Sequence, residues 1–395
     1  MLKEAKPSAH IPFVNTERDC SILARSFSDS EFVRISLQGS DKVISCLPPG
    51  PKLWVDGGVD GLERLAGANE KYMKYIRQFS GADKIADPEF QKKPDPKDVQ
   101  EFADAVLGAC VDLKPAWISV PQLPATADSA RNRINRALAE ATGRWASKSR
   151  MGAQLVLPLI FTHPSQLSAK TVRNPKVALL ARCCEYSGAR SVWVVDSSIM
   201  DQDGSKALEQ SRFPALINLH QEILSALPSD TTVVAGPYWG MNIVLWAKGL
   251  IKYPVVGLGN QFQYHLPGGH FTAAKTRVAL ASLKRWVIVS QGFHSWVGAA
   301  MKTLAADDPA YAEFSSLMNR FSSLLHGTNR EQIASVYKAW FDSVAVAPPS
   351  GRALTLFQQL SSAYVLGKGL PELPKDENSA RRPERVAQQL MLVCL

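Results

Sequence analysis

Residues 154–161 read Gln-Leu-Val-Leu-Pro-Leu-Ile-Phe, and residues 191–196 read Ser-Val-Trp-Val-Val-Asp. Both stretches are apolar at successive positions rather than at alternate ones, the pattern of strands buried on both faces. Between them, Asn174-Pro175 predicts a helix that starts with proline in its first turn, and Gly188 predicts its close. Strand, helix and strand in that order mean a parallel sheet.

Working outward, the same unit repeats. Further strands are expected at His10–Asn15, Glu31–Leu37, Lys52–Asp56, Ala116–Val120, Thr231–Ala235 and Pro254–Leu258. A helix from Ser129 places Ile134, Leu138, Ala141 and Trp145 on one stripe, and another is expected to open at Pro214 with Leu216, Leu219, Ile223 and Leu227 on one face. Eight candidate strands before residue 269 predict an α/β fold, a (β/α)8 TIM-like barrel over residues 10–269. An open doubly wound parallel sheet is the alternative, because the first two strands are weakly marked. Ser80–Lys97 reads as a long polar loop, a candidate lid. After Gly269 the pattern turns helical: His270–Leu304, Pro309–Leu325, Arg330–Val344 and Leu354–Tyr364 make a helical C-terminal extension over 270–370, and 371–395 reads as a mobile tail.

Composition bounds the rest. The chain has 395 residues, 46% hydrophobic and 21% charged, which excludes a largely disordered chain. No apolar run approaches the ~18–20 residues that span a bilayer, and the start is polar and charged, so no membrane association and no secretory leader are expected. The six cysteines, at 20, 46, 110, 183, 184 and 394, share no short repeating spacing, which fits a reducing cytoplasm, and the adjacent Cys183 and Cys184 read as small buried thiols. No metal site is expected, because no two ligand types share a characteristic spacing, and no cofactor fingerprint is present.

The net charge is +9. Asp128–Arg150 contains Arg131, Arg133, Arg136, Arg144, Lys148 and Arg150 against Asp128 and Glu140, a net +4. His270–Arg285 contains Lys275, Arg277, Lys284 and Arg285 and no acid, again +4. Nearly all the surplus therefore lies in two segments, read either as solvated faces or as surfaces for nucleic-acid phosphates, with Arg131, Arg133, Arg136, Arg144, Lys275 and Arg277 as the contacts.

In such a barrel the chemistry sits at the C-terminal ends of the strands. Those ends supply Asp56 with Gly57 and Gly58, Gln122, His163, Asp196, then Gly236, Tyr238 and Trp239, and finally Asn260, Gln261, Tyr264 and His265. Asp56 and Asp196 are the candidate catalytic carboxylates, for acid, base or nucleophile work. The remainder are candidate substrate-binding residues, the aromatic ones as platforms on which a base or sugar stacks.

This order of strand ends resembles the tRNA-guanine transglycosylase superfamily, which exchanges bases in nucleic acids on a (β/α)8 barrel. Asp56-Gly57-Gly58 is similar to the family's Asp-Ser-Gly-Gly-Phe-Gln segment after its third strand. The run leading to His163 resembles its fifth strand, and Ala235-Gly236 resembles the end of its seventh. The resemblance covers residues 10–265 and implies that Asp56 is the acid/base residue that shields an ejected base. It implies a glycosyltransferase of the pentosyl, base-exchange class, queuine tRNA-ribosyltransferase-like, acting on a purine-like base of the 7-deazaguanine type. The chain departs from the family where the nucleophilic aspartate follows the last strand, here Gly257, Gly259 and Asn260. It departs again after strand four, here Pro121 and Gln122, and in the zinc-binding Cys/His cluster, which is absent from the sequence. Asp196 is then the candidate relocated nucleophile. The expected function is cleavage or exchange at an N-glycosidic bond, or recognition of such a base, in DNA or RNA. The alternatives are a small-glycoside or nucleoside hydrolase and a non-catalytic barrel that binds nucleic acid, a protein partner or a second copy of itself.

Overall fold

The computed structural model describes residues 9–149, 152–167, 174–197, 199, 206–258, 264–269, 276–327, 329–375 and 381–395. Eight parallel strands close into a barrel in chain order: β1 (Ile11–Val14), β2 (Phe32–Ser36), β3 (Lys52–Asp56), β4 (Trp117–Ser119), β5 (Gln154–Phe161), β6 (Ser191–Asp196), β7 (Thr232–Ala235) and β8 (Tyr253–Gly257). Closure is made by β8 on β1, with Ile11, Pro12 and Phe13 opposite Val255, Val256 and Gly257. The closed order settles the fold as the (β/α)8 barrel rather than the open sheet. Every strand lies within about two residues of its sequence-based position.

The helices follow from local rules. Ser129–Lys148 is capped by Asp128, whose carboxylate accepts from the Ala130 amide, and buries Ile134, Leu138 and Ala141 on one side. Pro175–Ser187 is capped by Asn174 and ends at Gly188 in the left-handed region, at φ 73°. These two helices touch closely at Gly143, where an added Cβ would stand 1.9 Å from the Tyr186 carbonyl oxygen, so only glycine fits.

Four stretches differ from expectation. The helix expected to open at Pro214 runs Lys206–Ala226 with Pro214 inside it. Ser80–Lys97 is no open loop: it holds helices Ala82–Ala86 and Pro88–Lys92 and the start of Pro96–Val111, the last two each begun by an Asp-Pro step whose aspartate caps the first turn. His270–Leu304 is not one helix. It contains an antiparallel hairpin, β9 (Arg277–Leu280) and β10 (Arg285–Ile288), before helix Gln291–Met301. The stretch read as a mobile tail contains helix Arg385–Cys394, which buries Val386, Ala387, Leu390 and Val393.

The C-terminal region also divides in two. The hairpin and the helices between Gln291 and His326 gather a separate core around Phe293, Trp296 and Phe314. Helices Arg330–Ala345, Arg352–Lys368 and Arg385–Cys394 join the barrel's own core instead. The helix after β7 explains why: Met241–Ala247 is only 7 residues long and fully buried, too short to cover the barrel wall. The later helices cover it and bury the apolar surface it leaves. All six cysteines are free, and burial pushes the Cys183 and Cys184 thiols up to about 12. No helix among the described residues is long and apolar enough to cross a membrane.

Candidate active site

Side chains alternate along a strand, so Trp54 and Asp56 on β3 share one face. Register places Phe13, Arg34 and Trp54 side by side on β1, β2 and β3. These positions point into the barrel. Arg34 is therefore a cation among rings: its guanidinium carbon lies 3.8 Å from the centre of Phe13 and 4.5 Å from that of Trp193. Such contacts, desolvated, contribute about 2 kcal/mol. Desolvation still opposes the charge, and Asp56 compensates it through a buried ion pair with Arg34.

The Asp56 carboxylate is fully engaged. Its Oδ2 accepts from Arg34 and from Ser119 Oγ at 3.0 Å, and its Oδ1 accepts from the Gly58 amide at 2.6 Å. Gly58 takes φ 65°, in the left-handed region that favours glycine. The carbonyls of Gly57 and Gly58 are held by the hydroxyls of Tyr75 and Tyr72, at 2.7 and 2.8 Å. Val106 lies so close to Gly57 that a Cβ there would approach it to 2.7 Å.

One turn further on, Asp60 is 3% exposed. Burial and the charge of Asp56 push its carboxyl up to about 7, against the Tyr264 hydroxyl, which donates to it. Asp56 and Asp60 line one cavity with Ser119, Gln122 and Pro158. Its volume is about 10 Å³, the least that holds a water molecule. The cavity therefore contains two carboxyl groups in opposite settings, one ion-paired to an arginine and one that keeps its proton close to neutrality.

Asp196 does not join them. On β6 it alternates with Trp193, which faces Arg34, so it points to the opposite side of the barrel wall. There it meets Arg212 of the helix Lys206–Ala226, both side chains being 3% exposed or less. The Asp196 amide donates to the Tyr238 hydroxyl at 2.7 Å.

The other expected residues are placed as follows. Gln122 is buried and spends its amide on the carbonyls of Pro121 and Asn135. His163 is exposed and holds its own turn, its Nδ1 accepting from the Ser165 amide. Gly236 accepts from the Trp193 indole at 2.8 Å. Trp239 leaves the mouth altogether: its indole donates to the Lys284 carbonyl, and its ring packs on Tyr337 and Trp340. Tyr264 is inside the mouth, and His265 beside it is exposed. Asn260, Gln261 and Lys275 lie outside the described residues.

Of the basic residues, Arg131 is committed to Glu63, Gln91 and the Pro124 carbonyl. Arg277 is 4% exposed, over the ring of Trp286, and cannot meet a phosphate where it stands. Arg133, Arg136, Arg144 and Lys148 are exposed along one side of helix Ser129–Lys148. Three of them also contact the protein: Arg133 the Lys92 carbonyl, Arg136 Glu140 and Arg144 Gln100.

Sequence reasoning missed Arg34, Asp60 and Ser119. Arg34 carried a signal, being the one charge inside the strand Phe-Val-Arg-Ile-Ser. Asp60 carried little, since an aspartate four residues beyond another reads as a helix-turn residue. Comparison of the sequence with protein-family models and with curated proteins finds no match. The class is therefore defined by architecture and site: a closed (β/α)8 barrel whose mouth holds a buried Arg34–Asp56 pair beside a proton-holding Asp60.

Proposed function

We propose that this chain is a glycosidic-bond enzyme that cleaves or exchanges the bond between a sugar and a planar, purine-like base. One observation carries the reading: Asp56 and Asp60 line the same cavity with their environments set apart, one ion-paired and one holding its proton. Two carboxyl groups divided in that way are the acid and the charge-stabilising partner that glycosidic chemistry requires. Relative to the sequence-based assignment the roles shift, with Asp60 as the acid and Asp56 as the fixed charge, while Asp196 is reserved for Arg212.

In this mechanism the Asp60 carboxyl gives its proton to the base nitrogen as the C1′–N bond breaks and its electron pair leaves with the base. Positive charge builds at C1′ and is balanced by Asp56, which Arg34, Ser119 and the Gly58 amide keep from turning away. Water, or an incoming base, then bonds to C1′ and loses its proton to the Asp60 carboxylate, which restores the starting state. General acid catalysis of this kind supplies roughly 10²–10⁴ in rate.

A nucleic acid as the bearer of that base is favoured by the exposed stripe Arg133, Arg136, Arg144 and Lys148. Its helix is tied at its start to the segment that carries Asp60, through Arg131 and Glu63. The experiment is base release from nucleosides and from DNA and RNA oligonucleotides, followed by chromatography. Asp60→Asn is expected to lower the rate at least ~100-fold, and a D60N variant as active as wild type overturns the reading. Charge reversal of Arg133, Arg136 and Arg144 together is expected to weaken oligonucleotide binding and flatten its salt dependence. Unchanged binding assigns the site to free nucleosides.

A further inference from the structure

We propose that the aromatic-walled space filled by the Tyr264 phenol is the subsite for the ligand's planar ring, and that Tyr264 is an internal occupant which the ligand displaces. The inference rests on the preceding reading of Asp60 as the group that faces the base.

Room is the first observation. The cavity that Asp56 and Asp60 line measures about 10 Å³, enough for a single water molecule and no ring. The phenol of Tyr264, which reaches Asp60, fills a ring-sized space walled by Trp193 and Phe13. Its centre is 5.0 Å from that of Trp193, edge to face, and 6.3 Å from that of Phe13. The Arg34 guanidinium carbon is 5.7 Å away. These are the separations at which aromatic groups attract one another. Any planar ring of similar size meets the same walls.

The edge chemistry is the second. The Tyr264 hydroxyl donates to Asp60, so a replacement must bring its own N–H or O–H to that carboxyl. Arg34 adds a complementary demand. Its side chain is 6% exposed, and its Nε is a buried donor with no hydrogen-bond partner among the described residues. An orphaned buried donor is destabilising, and the loss is recovered when an acceptor arrives. A ring with N–H beside C=O, a lactam edge, answers both groups at once. The chemical class is therefore a planar lactam heterocycle of one or two fused rings.

The third observation is how Tyr264 is held. It belongs to a strap, residues 264–269, seated on the segment that carries Asp60. Pro267 fits against glycines: a Cβ on Gly58 or Gly61 would come within 3.5 or 2.9 Å of it. The Gly268 carbonyl accepts from the Asn69 amide at 2.8 Å, and the Gly269 carbonyl from Asn69 Nδ2 at 2.9 Å. Among the described residues, Asn69 thus latches the strap with both its backbone and its side chain.

The test is binding of hypoxanthine, a bare lactam purine, read by quenching of tryptophan fluorescence and confirmed by calorimetry. Wild type, Tyr264→Phe and Tyr264→Ala are compared after thermal melts show each folded. Tyr264→Ala is expected to bind at least ~10-fold and Tyr264→Phe about 3-fold more tightly than wild type, since the competitor is removed or loosened. In the Y264A background, Asp60→Asn is expected to return the affinity towards that of wild type. Toluene, a ring without the lactam edge, is expected to gain far less. Unchanged hypoxanthine affinity in Y264A, or in Y264F if Y264A does not fold, overturns the proposal. So does a toluene gain equal to that of hypoxanthine, which would mark a mere packing hole. Tighter hypoxanthine binding with no base release from any nucleoside upholds the subsite and ends the catalytic reading. Base release that depends on Asp60, with no gain in binding in either Tyr264 variant, does the reverse.

Discussion

Arg34 on β2 and Asp56 on β3 meet inside the barrel as an ion pair whose two side chains are each 6% exposed. Removing one partner leaves the other charged and desolvated, at a cost of about 3–5 kcal/mol. Arg34→Met should therefore lower the unfolding free energy by that order, read from urea titration. The double variant R34M/D56N should lose clearly less than the sum of the single losses, because neither charge is left alone. Additive losses would show that the pair is not coupled.

Asp60 makes stability depend on pH. Its folded carboxyl is raised from 3.8 to about 7, so the folded state binds the proton more tightly than the unfolded chain. The stability it contributes is complete below about pH 4 and is lost as pH rises through about 7. Asp60→Asn removes this term. The difference in stability between D60N and wild type should accordingly move in favour of D60N between about pH 5 and about pH 8. If the acid role is right, the base-release rate of wild type should fall over the same rise.

Two buried histidines act in the opposite direction. Burial holds His220 down at about 4 and His10 well below its ordinary value of 6.5. Each contributes stability that is present above about pH 6.5 and is lost as pH falls through its folded value. His10 is packed among Phe27, Tyr337 and Phe341. His10→Phe should make the acid side of the stability profile less steep. An unchanged acid limb, followed by circular dichroism, would count against this origin.

Among the polar contacts that tie the later helices to the barrel, a buried one can be cut cleanly. The Tyr337 hydroxyl donates to Asn242 Oδ1 at 2.8 Å, both groups being buried. Tyr337→Phe strands the Asn242 oxygen, at about 1–3 kcal/mol. Limited proteolysis should then cut near helix Arg330–Ala345 sooner than in wild type, while the rings still pack. Equal proteolysis of the two proteins would place the tie elsewhere.

The parts of the fold that could be read in advance share one property: their local pattern and their burial agree. Gln154–Phe161 and Ser191–Asp196 are apolar on both faces because strand neighbours and helices cover both faces. The hairpin at Arg277–Ile288 was hidden because Arg-Val-Ala-Leu-Ala-Ser-Leu-Lys-Arg-Trp-Val-Ile fits a helical period as well as an alternating one. Its turn holds Lys284 at φ 55°, where a glycine would have announced it. In the site, Asp56 was legible from its glycines. Asp196 misled because strand ends do not reveal which side of the wall a residue faces, and the parity with Trp193 decides that. Asp60 and Tyr264 are 204 residues apart, and only folding brings them together.

The seating of His10 against Tyr337 and Phe341 has a consequence for how the chain is made. β1 leaves the ribosome well before the rings that seal its start, which lie more than 300 residues later. At about 5–20 residues per second, that interval is roughly 15–60 seconds. During it the nascent barrel carries an uncovered aromatic seam beside β1. Contacts this distant in sequence are also the slow ones to form. The protein should therefore engage holding chaperones while it is being synthesised, and release from them should coincide with the appearance of helix Arg330–Ala345.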